Sequence, residues 1–275
     1  MWILGIGINE YANWPNFFLR NPVNDTKKII ECLERQEGRQ FRNVHSLTIF
    51  DTEATRQNII NSFQYLKQAK STDIVFLYIN AHGETIDNGT YCFFPHDIGF
   101  INKKMKVESN EKIDSSVINR NIFNIMNIPV DIIISNEYIE KTIDYSDAIT
   151  INEIIQALDI NATKILFLET CESGGAINSD NINDIIIFTA CGQNESAVED
   201  NQFGNGSIFT EGFVRKINSH NYKEGPLTME MLFEYTYNFV IELNKSLYDG
   251  YYRDKQHPEL HLPDKYSNFT FLGNY

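Results

Sequence analysis

Short runs of apolar residues alternate along this chain with segments in which apolar residues recur at helical spacing. Residues 2–8 (WILGIGI), 74–79 (IVFLYI) and 164–168 (KILFL) are apolar in both side-chain directions, as in strands buried on two faces. Strands of this kind alternating with helices predict a mostly parallel α/β sheet covered by helices on both faces. The predicted strands are 2–8, 44–50, 74–79, 164–168 and 185–190, and the predicted helices are 23–35, 55–70, 148–158, 207–218 and 227–247.

Composition and charge exclude several classes of protein. A chain of 275 residues with 42% hydrophobic residues is not disordered, and its net charge of −14 disfavours nucleic acid or an anionic membrane as a partner. The start MWILGIGINEY lacks the basic region of a signal peptide, and no apolar run reaches the roughly 20 residues of a membrane helix. The four cysteines form no CxxC pair for zinc, so we expect a reduced, cytoplasmic protein without a cofactor.

Residues 99–146 interrupt the α/β pattern. They separate a hairpin-like stretch, YCFFPHD (91–97), from the predicted helix at 148–158. Compact domains seldom contain so long a connection unless it is functional or disordered. We therefore expect one domain, 1–275, with an insertion at 99–146.

Two reactive side chains follow neighbouring strands of the predicted sheet. His82 and Gly83 follow the apolar part of the run IVFLYINAHGE, and Cys171 follows the apolar part of the run KILFLETCESGG. The carboxyl ends of parallel strands meet at one edge, where ligands bind. A lone cysteine or histidine is more often a packing residue, but at equivalent strand ends the two favour a nucleophile–base pair. The backbone N–H groups of Gly83 and Cys171 are the candidate oxyanion hole.

A family resemblance rests on four stretches of the sequence. They are LGIGINEY with LRNPVNDTKKIIECL, DIVFLYINAHGE, ILFLETCESGGA, and IIIFTACGQNESAVE with GNGSIFTEGFVRKI. Together they resemble the caspase-like cysteine peptidases, most closely the metacaspase and paracaspase branch and its bacterial relatives. The resemblance implies a caspase-like three-layer α/β/α sandwich and a Cys–His dyad with no third triad member. It also implies that some relatives need calcium, although nothing in this sequence supports a metal site.

The sequence departs from the family at two acidic positions. Glu169 stands where the family usually has Asp, and Glu172 stands where His or Arg is common. Both flank the cysteine, and a negative neighbour raises the pKa of a thiol and hinders its ionisation. We therefore expect these carboxylates to serve the substrate.

The acidic residues near the dyad predict a substrate pocket. Glu169 lies two residues before Cys171, so on a strand its side chain points to the same side. Asp25 matches the family's other acidic pocket position, and Asn80 is the third candidate substrate-binding residue. Two carboxylates in a pocket predict cleavage after Arg or Lys. Two alternatives stay open: Asp25 caps its helix, or the nearby Arg20 selects Asp-containing substrates.

These features predict a cysteine endopeptidase that acts on protein substrates with exposed Arg or Lys through a thioester acyl-enzyme. Two other functions remain: a catalytically inactive caspase-like module for binding or assembly, and a thiol hydrolase that is not a peptidase. Retention of both His82 and Cys171 disfavours the inactive module.

The insertion is expected to regulate the enzyme as a zymogen segment that the protein or a partner protease cuts. Its start, with Lys103, Lys104 and Lys106, is typical of exposed chain, and Lys112 and Arg120 offer further basic sites. The apolar stretch 122–134 is expected to dock, with the cleft as the candidate place. A lineage-specific loop without a role is the alternative.

Overall fold

A computed structural model describes residues 1–106, 137–200, 206–221, 223, 225–246 and 256–273. Its centre is a six-stranded sheet in the order β14-β10-β9-β3-β1-β2. All neighbouring strands in this sheet are parallel except the edge pair β10–β14. The strands are β1 (Trp2–Gly7), β2 (His45–Phe50), β3 (Ile74–Asn80), β4 (Gly83–Thr85), β5 (Tyr91–Phe93), β6 (Phe100–Lys106), β7 (Glu137–Ile143), β8 (Ile149–Thr150), β9 (Thr163–Glu169), β10 (Ile185–Thr189), β11 (Glu199–Asp200), β12 (Gly206–Ser207), β13 (Leu227–Thr228), β14 (Glu259–His261) and β15 (Thr270–Leu272).

Helices cover both faces of the sheet. They are α1 (Pro22–Glu34), α2 (Arg56–Leu66), α3 (Ile151–Ala157), α4 (Ile208–Ser219) and α5 (Met229–Ser246). Helices α2 and α3 pack on one face in a core that includes Ile59 and Ile154, while α1, α4 and α5 pack on the other with Phe167 and Phe213. The predicted three-layer α/β/α sandwich with a mostly parallel sheet is confirmed.

Alternation along the strands explains how each central strand serves both cores. In β9, Ile165 and Phe167 face α1, α4 and α5, whereas Leu166 and Leu168 face α2 and α3. A strand buried on two faces has no polar side to alternate with, so it reads as a continuous apolar run. All four of these side chains are fully buried.

The described ends of the insertion form a two-stranded ribbon. Strands β6 and β7 are antiparallel, with Phe100 opposite Ile143 and Lys106 opposite Glu137. Residues 103–106, expected to be exposed chain, pair along a strand, and their exposure stays a prediction. The apolar stretch 122–134, with Lys112 and Arg120, lies outside the described residues, and docking of that stretch stays a prediction.

The hairpin expected at 91–97 is displaced, because β5 pairs antiparallel with β4 and the hairpin therefore spans 83–93. Residues 94–97 follow it. None of the helices in the described part of the chain combines the length and the apolar character needed to cross a membrane.

Candidate active site

His82 and Cys171 occupy equivalent places at one edge of the sheet. Strands β3 and β9 are parallel neighbours, and their last paired residues are Asn80 and Glu169. His82 and Cys171 each come two residues after that pair. The expected placement of the two residues at adjacent strand ends is therefore observed.

A segment after β1 holds the His82 ring on two sides. The ring nitrogen Nε2 donates to the backbone oxygen of Phe17 at 3.0 Å, and the Phe17 ring stacks on the imidazole with centroids 3.6 Å apart. The backbone N–H of His82 donates to the Tyr11 hydroxyl at 2.8 Å. Burial lowers the pKa of His82 to about 4, although the bond to Phe17 opposes that shift. The imidazole is thus neutral at pH 7, with its proton on Nε2 and an accepting lone pair on Nδ1.

The Phe17 carbonyl is a partner that sequence reasoning missed. The sequence offers no side chain as a third catalytic residue beside the Cys–His dyad. The group that orients His82 is a main-chain carbonyl instead. Every residue has a backbone carbonyl, so no side-chain pattern marks this one. The only usable signal was the aromatic content of the segment WPNFF, residues 14–18.

The Cys171 thiol sits half-buried at the turn after β9. Burial raises its pKa, and the charges of Glu172 and Glu169 raise it further. A backbone hydrogen bond from Ala197 and a side-chain hydrogen bond from Ser196 act in the opposite direction. The expected effect of the flanking carboxylates thus has the right sign, but loss of solvation is the larger cause. The resting pair is a neutral thiol and a neutral imidazole.

Glu172 has a local structural role beside the cysteine. Its backbone is left-handed, with φ of 54°, which is uncommon for a residue other than glycine. Its carboxylate accepts from the Thr85 N–H at 2.9 Å, and its own N–H donates to the Glu195 oxygen at 2.8 Å. Its carbonyl accepts from the Gly175 N–H at 2.9 Å. These bonds hold a strained conformation and fasten β4 to the cysteine turn.

Gly83 lies directly against the backbone of the cysteine turn. A Cβ atom at this position would come within 2.8 Å of Thr170 Oγ1 and 3.2 Å of the Cys171 carbonyl oxygen. Thr170 itself is held by the Tyr91 hydroxyl at 2.6 Å. Only glycine allows so close an approach. The two backbones of the expected oxyanion hole are therefore neighbours.

Asp25 and Glu169 meet at the N-terminus of helix α4. Asp25 Oδ2 accepts from the backbone N–H and the hydroxyl of Ser207, at 2.8 and 2.7 Å. Glu169 Oε2 accepts from the N–H and the hydroxyl of Thr210, at 3.0 and 2.9 Å. Positive partial charge at a helix N-terminus stabilises carboxylates. The alternative that Asp25 caps its own helix is wrong, because it is the fourth residue of α1 and Asn21 holds the cap position.

Each of these two buried carboxyl groups keeps one oxygen without a hydrogen bond. Within the described residues, Asp25 Oδ1 and Glu169 Oε1 make no hydrogen bond, although both side chains are almost inaccessible to solvent. Burial raises the pKa of Asp25 to about 7 and raises that of Glu169 well above its ordinary value. The negative charge of Glu199 contributes to both shifts. Because unpaired buried charge is costly, burial favours the protonated form of both groups.

Asn80 and Glu199 complete the surroundings of the carboxylates. Asn80 Nδ2 lies 3.4 Å from Asp25 Oδ2 and 3.1 Å from the Tyr78 hydroxyl, so it lies beside the pair, as expected. Glu199 accepts from two backbone N–H groups at the start of α1, both at 3.3 Å. Sequence reasoning missed Glu199, although it is the last residue of the IIIFTACGQNESAVE stretch.

Comparison with known proteins identifies the family. The family model described as Caspase domain (Peptidase C14) matches residues 2–266. The chain belongs to the caspase-domain family. The solved structures that resemble this caspase domain include protein GSU0716 from Geobacter sulfurreducens, with 13% sequence identity and a TM-score of 0.54. That match covers 94% of this chain and 91% of the other, and it concerns the fold alone. A search of curated proteins finds no significant match.

The charges around the acidic pair in this caspase domain are mixed at the rim and negative at the centre. Lys28 Nζ lies 3.9 Å from Asp25 Oδ1 and 3.0 Å from Glu211, so it is shared between two carboxylates. Arg20 is exposed, and its charge lowers the pKa of Glu199 against the effect of burial. Among the described residues, no group of three His, Cys, Asp or Glu side chains is placed to hold a metal ion.

Proposed function

We propose that this caspase domain is a cysteine endopeptidase that cleaves protein substrates after Arg or Lys. The observation that carries the proposal is the register of β3 and β9, which brings His82 and Cys171 to equivalent positions at one sheet edge. Membership in a peptidase family supports the same reaction class. The acidic pair beside this edge supports the preference for basic residues.

The proposed reaction begins from the neutral pair. Nδ1 of His82 takes the Cys171 proton as the sulfur attacks the scissile carbonyl carbon, and the backbone N–H groups of Gly83 and Cys171 stabilise the oxyanion. The imidazolium then gives its proton to the leaving amine, and a thioester remains. Water hydrolyses the thioester with the imidazole again as the base. The hydrogen bond from Nε2 to Phe17 keeps the ring oriented in every step.

The acidic pair is the proposed pocket for the basic side chain. A guanidinium presents five N–H donors in a planar fork, and among the described residues Asp25 Oδ1 and Glu169 Oε1 are two acceptors that make no hydrogen bond. An Asp side chain in the same place would add a further carboxyl to this buried acidic cluster, which is unfavourable. The exposed Arg20 lies toward Glu199, at the rim of this cluster.

Four variants test the catalytic assignment. Cys171→Ala and His82→Ala are expected to abolish cleavage of a fluorogenic peptide ending in Arg, because each removes a reacting group. Cys32→Ala is the control, since Cys32 is buried in α1 and contacts Asn218 instead of the dyad. Cys191→Ala should also retain activity. A Cys171→Ala enzyme that keeps a tenth of wild-type turnover would refute the assignment.

A peptidyl electrophile separates the proposed peptidase from the alternatives. A probe ending in Arg is expected to label Cys171, and one ending in Asp is expected to label it slowly or not at all. An inactive module would take up neither probe, and a thiol hydrolase of another class would not discriminate between them. Calcium and chelator arms of the same assay test the metal requirement. Unpaired cysteines at all four positions support a reduced compartment such as the cytoplasm.

The zymogen role of the insertion is also proposed. The backbone of β6 is paired with β7, and a protease needs the backbone of its substrate free to enter the cleft. Changing Lys103, Lys104 and Lys106 to Gln is therefore expected to leave self-cleavage unchanged. Changing Lys112 and Arg120 as well is expected to abolish the two-fragment pattern and the rise in activity that accompanies it. Full activity in the uncut five-residue variant would refute the regulatory role.

A further inference from the structure

A continuous row of aromatic rings connects the insertion ribbon to His82. Phe100, the first residue of β6, meets Trp14 edge to face, with centroids 4.9 Å apart and ring planes at 87°. Trp14 stacks on Phe17 at 3.8 Å, and Phe17 stacks on His82 at 3.6 Å. Aromatic pairs in these geometries have preferred distances and orientations, so each ring restricts the next.

The base of the ribbon is the part where Phe100 begins β6 and Ile143 ends β7. Hydrogen bonds also connect the segment that carries Trp14 and Phe17 to the chain that enters this base. Asn13 Nδ2 donates to the backbone oxygens of Asp97 and Ile98, at 3.3 and 3.0 Å. The Ala12 N–H donates to the His96 oxygen at 2.8 Å. The main chain that enters β6 thus fixes the main chain that presents Phe17 to His82.

The returning leg of the ribbon contacts the dyad region from the other side. After β7, the Tyr145 hydroxyl donates to Glu84 at 2.8 Å, and Glu84 lies in β4, two residues after His82. The next residue of β4, Thr85, is the one that donates to the Glu172 carboxylate. The base itself is closed by a bond of 2.9 Å from the Asp144 N–H to the Gly99 oxygen. Both legs therefore reach elements that position the reacting groups.

We propose that Trp14 and Phe100 are positioning residues, which hold His82 in its working orientation through Phe17, so that the ribbon base is part of the support of the active site. This inference rests on the proposed function. Phe17 supplies both the acceptor for Nε2 and the ring on the imidazole face, so a displaced Phe17 loses both contacts at once. Misplacement of a catalytic group by about 1 Å lowers the rate by about 100-fold. A displacement of the ribbon base thus changes the rate without touching the substrate.

The kinetic test replaces the two outer rings of the row. Trp14→Ala and Phe100→Ala are expected to lower kcat by about 10- to 100-fold. KM is expected to change by less than about twofold, because the acidic pair is untouched. Trp14→Phe and Phe100→Leu keep part of the packing and should recover most of the activity. They also keep the test valid if an alanine variant does not fold.

Two matched controls separate positioning from general stability. Trp2 is the other tryptophan of the chain and packs on the same core, where it meets His45 and Tyr65 far from the dyad. Trp2→Ala is expected to lower the Tm as much as Trp14→Ala and to leave kcat unchanged. Ile101, next to Phe100 and 48% exposed, gives a second control, because Ile101→Ala should change neither quantity.

The ¹⁵N NMR signals of the His82 ring give a readout that is independent of activity. These signals are assigned by their disappearance from the spectrum of the His82→Gln variant. Wild type should show the proton on Nε2, and both alanine variants should shift these signals while Trp2→Ala does not. Unchanged His82 signals in Trp14→Ala and Phe100→Ala would overturn the inference, as would an unchanged kcat. If wild type cleaves no peptide, the proposed function fails, and the ring signals alone decide whether the row positions His82.

Discussion

Replacing Asp25 by Asn is expected to stabilise the protein, increasingly so as the pH rises. Asp25 is fully buried, and burial raises the pKa of its carboxyl from 3.8 to about 7. In the unfolded chain the same carboxyl ionises near 3.8, so the folded state holds a proton that the unfolded state has released. Folding stability therefore falls as the pH rises between these two values. Asn cannot ionise, so the variant lacks this loss.

The magnitude follows from the two pKa values. A difference of one pKa unit is worth about 1.4 kcal/mol, so the change from 3.8 to about 7 is worth about 4 kcal/mol once both states are ionised. About 1.5 kcal/mol of that loss is already present at pH 5. The gain of Asp25→Asn over wild type is therefore expected to grow by about 2–3 kcal/mol between pH 5 and pH 8. The charge of Asp25 also raises the pKa of Glu169, so its removal adds to the gain.

Urea unfolding at pH 3, 4, 5, 6, 7 and 8 measures this difference and covers the control as well. Asp73 provides a control of opposite sign, because hydrogen bonds from Lys70 and Trp2 lower the pKa of its carboxyl. Asp73→Asn should therefore lose stability relative to wild type as the pH rises from about 3 to 5. A gain for Asp25→Asn that does not change with pH would mean that Asp25 ionises normally in the folded protein, and the account of the acidic pair would be refuted.

Two further predictions concern the cysteine turn. Gly83→Ala should destabilise the fold by about 1–3 kcal/mol and abolish peptide cleavage, because the new methyl group meets Thr170 at 2.8 Å; the Tm and kcat measure both effects, and a fully active variant would contradict the close approach. Glu172→Gln should lower the pKa of the Cys171 thiol while keeping an acceptor for the Thr85 N–H. The pH dependence of alkylation by iodoacetamide measures that pKa, and an unchanged profile would remove Glu172 from its causes.

The central sheet was predictable because its strands are buried on both faces. A strand such as β3 must be apolar in both side-chain directions, so it appears in the sequence as a short continuous apolar run. A buried strand explains such a run better than any other element. The edge strand β14 escaped prediction because Glu259–His261 has only three residues and no apolar run. Pairing with β10 creates this strand, and its own side chains carry no signal for it.

The candidate site was predictable only as far as side chains define it. His82 and Cys171 stand after recognisable strands, so their positions followed from the sheet. The Phe17 carbonyl has no signature in sequence, and its role depends on the path of a loop. The pairing of β6 with β7 was not predicted, because the lysines and asparagines at the start of the insertion are typical of exposed loops. Backbone pairing across the insertion overrides that weak preference.

Cys171 must lose its proton during the reaction, yet Glu169 and Glu172 lie beside it. The hydrogen-bond partners of these two carboxylates explain their presence. The Glu169 carboxylate is bound to the start of α4, and that of Glu172 is bound to β4, so both are fixed by backbone N–H groups. Each still raises the pKa of Cys171, and Asp25 in turn raises that of Glu169. On the proposed function, a bound guanidinium adds positive charge beside the oxygens of Asp25 and Glu169 that make no hydrogen bond. The same ligand then offsets the stability lost at Asp25 and favours the Cys171 thiolate, so a basic substrate promotes the ionisation that its own cleavage requires.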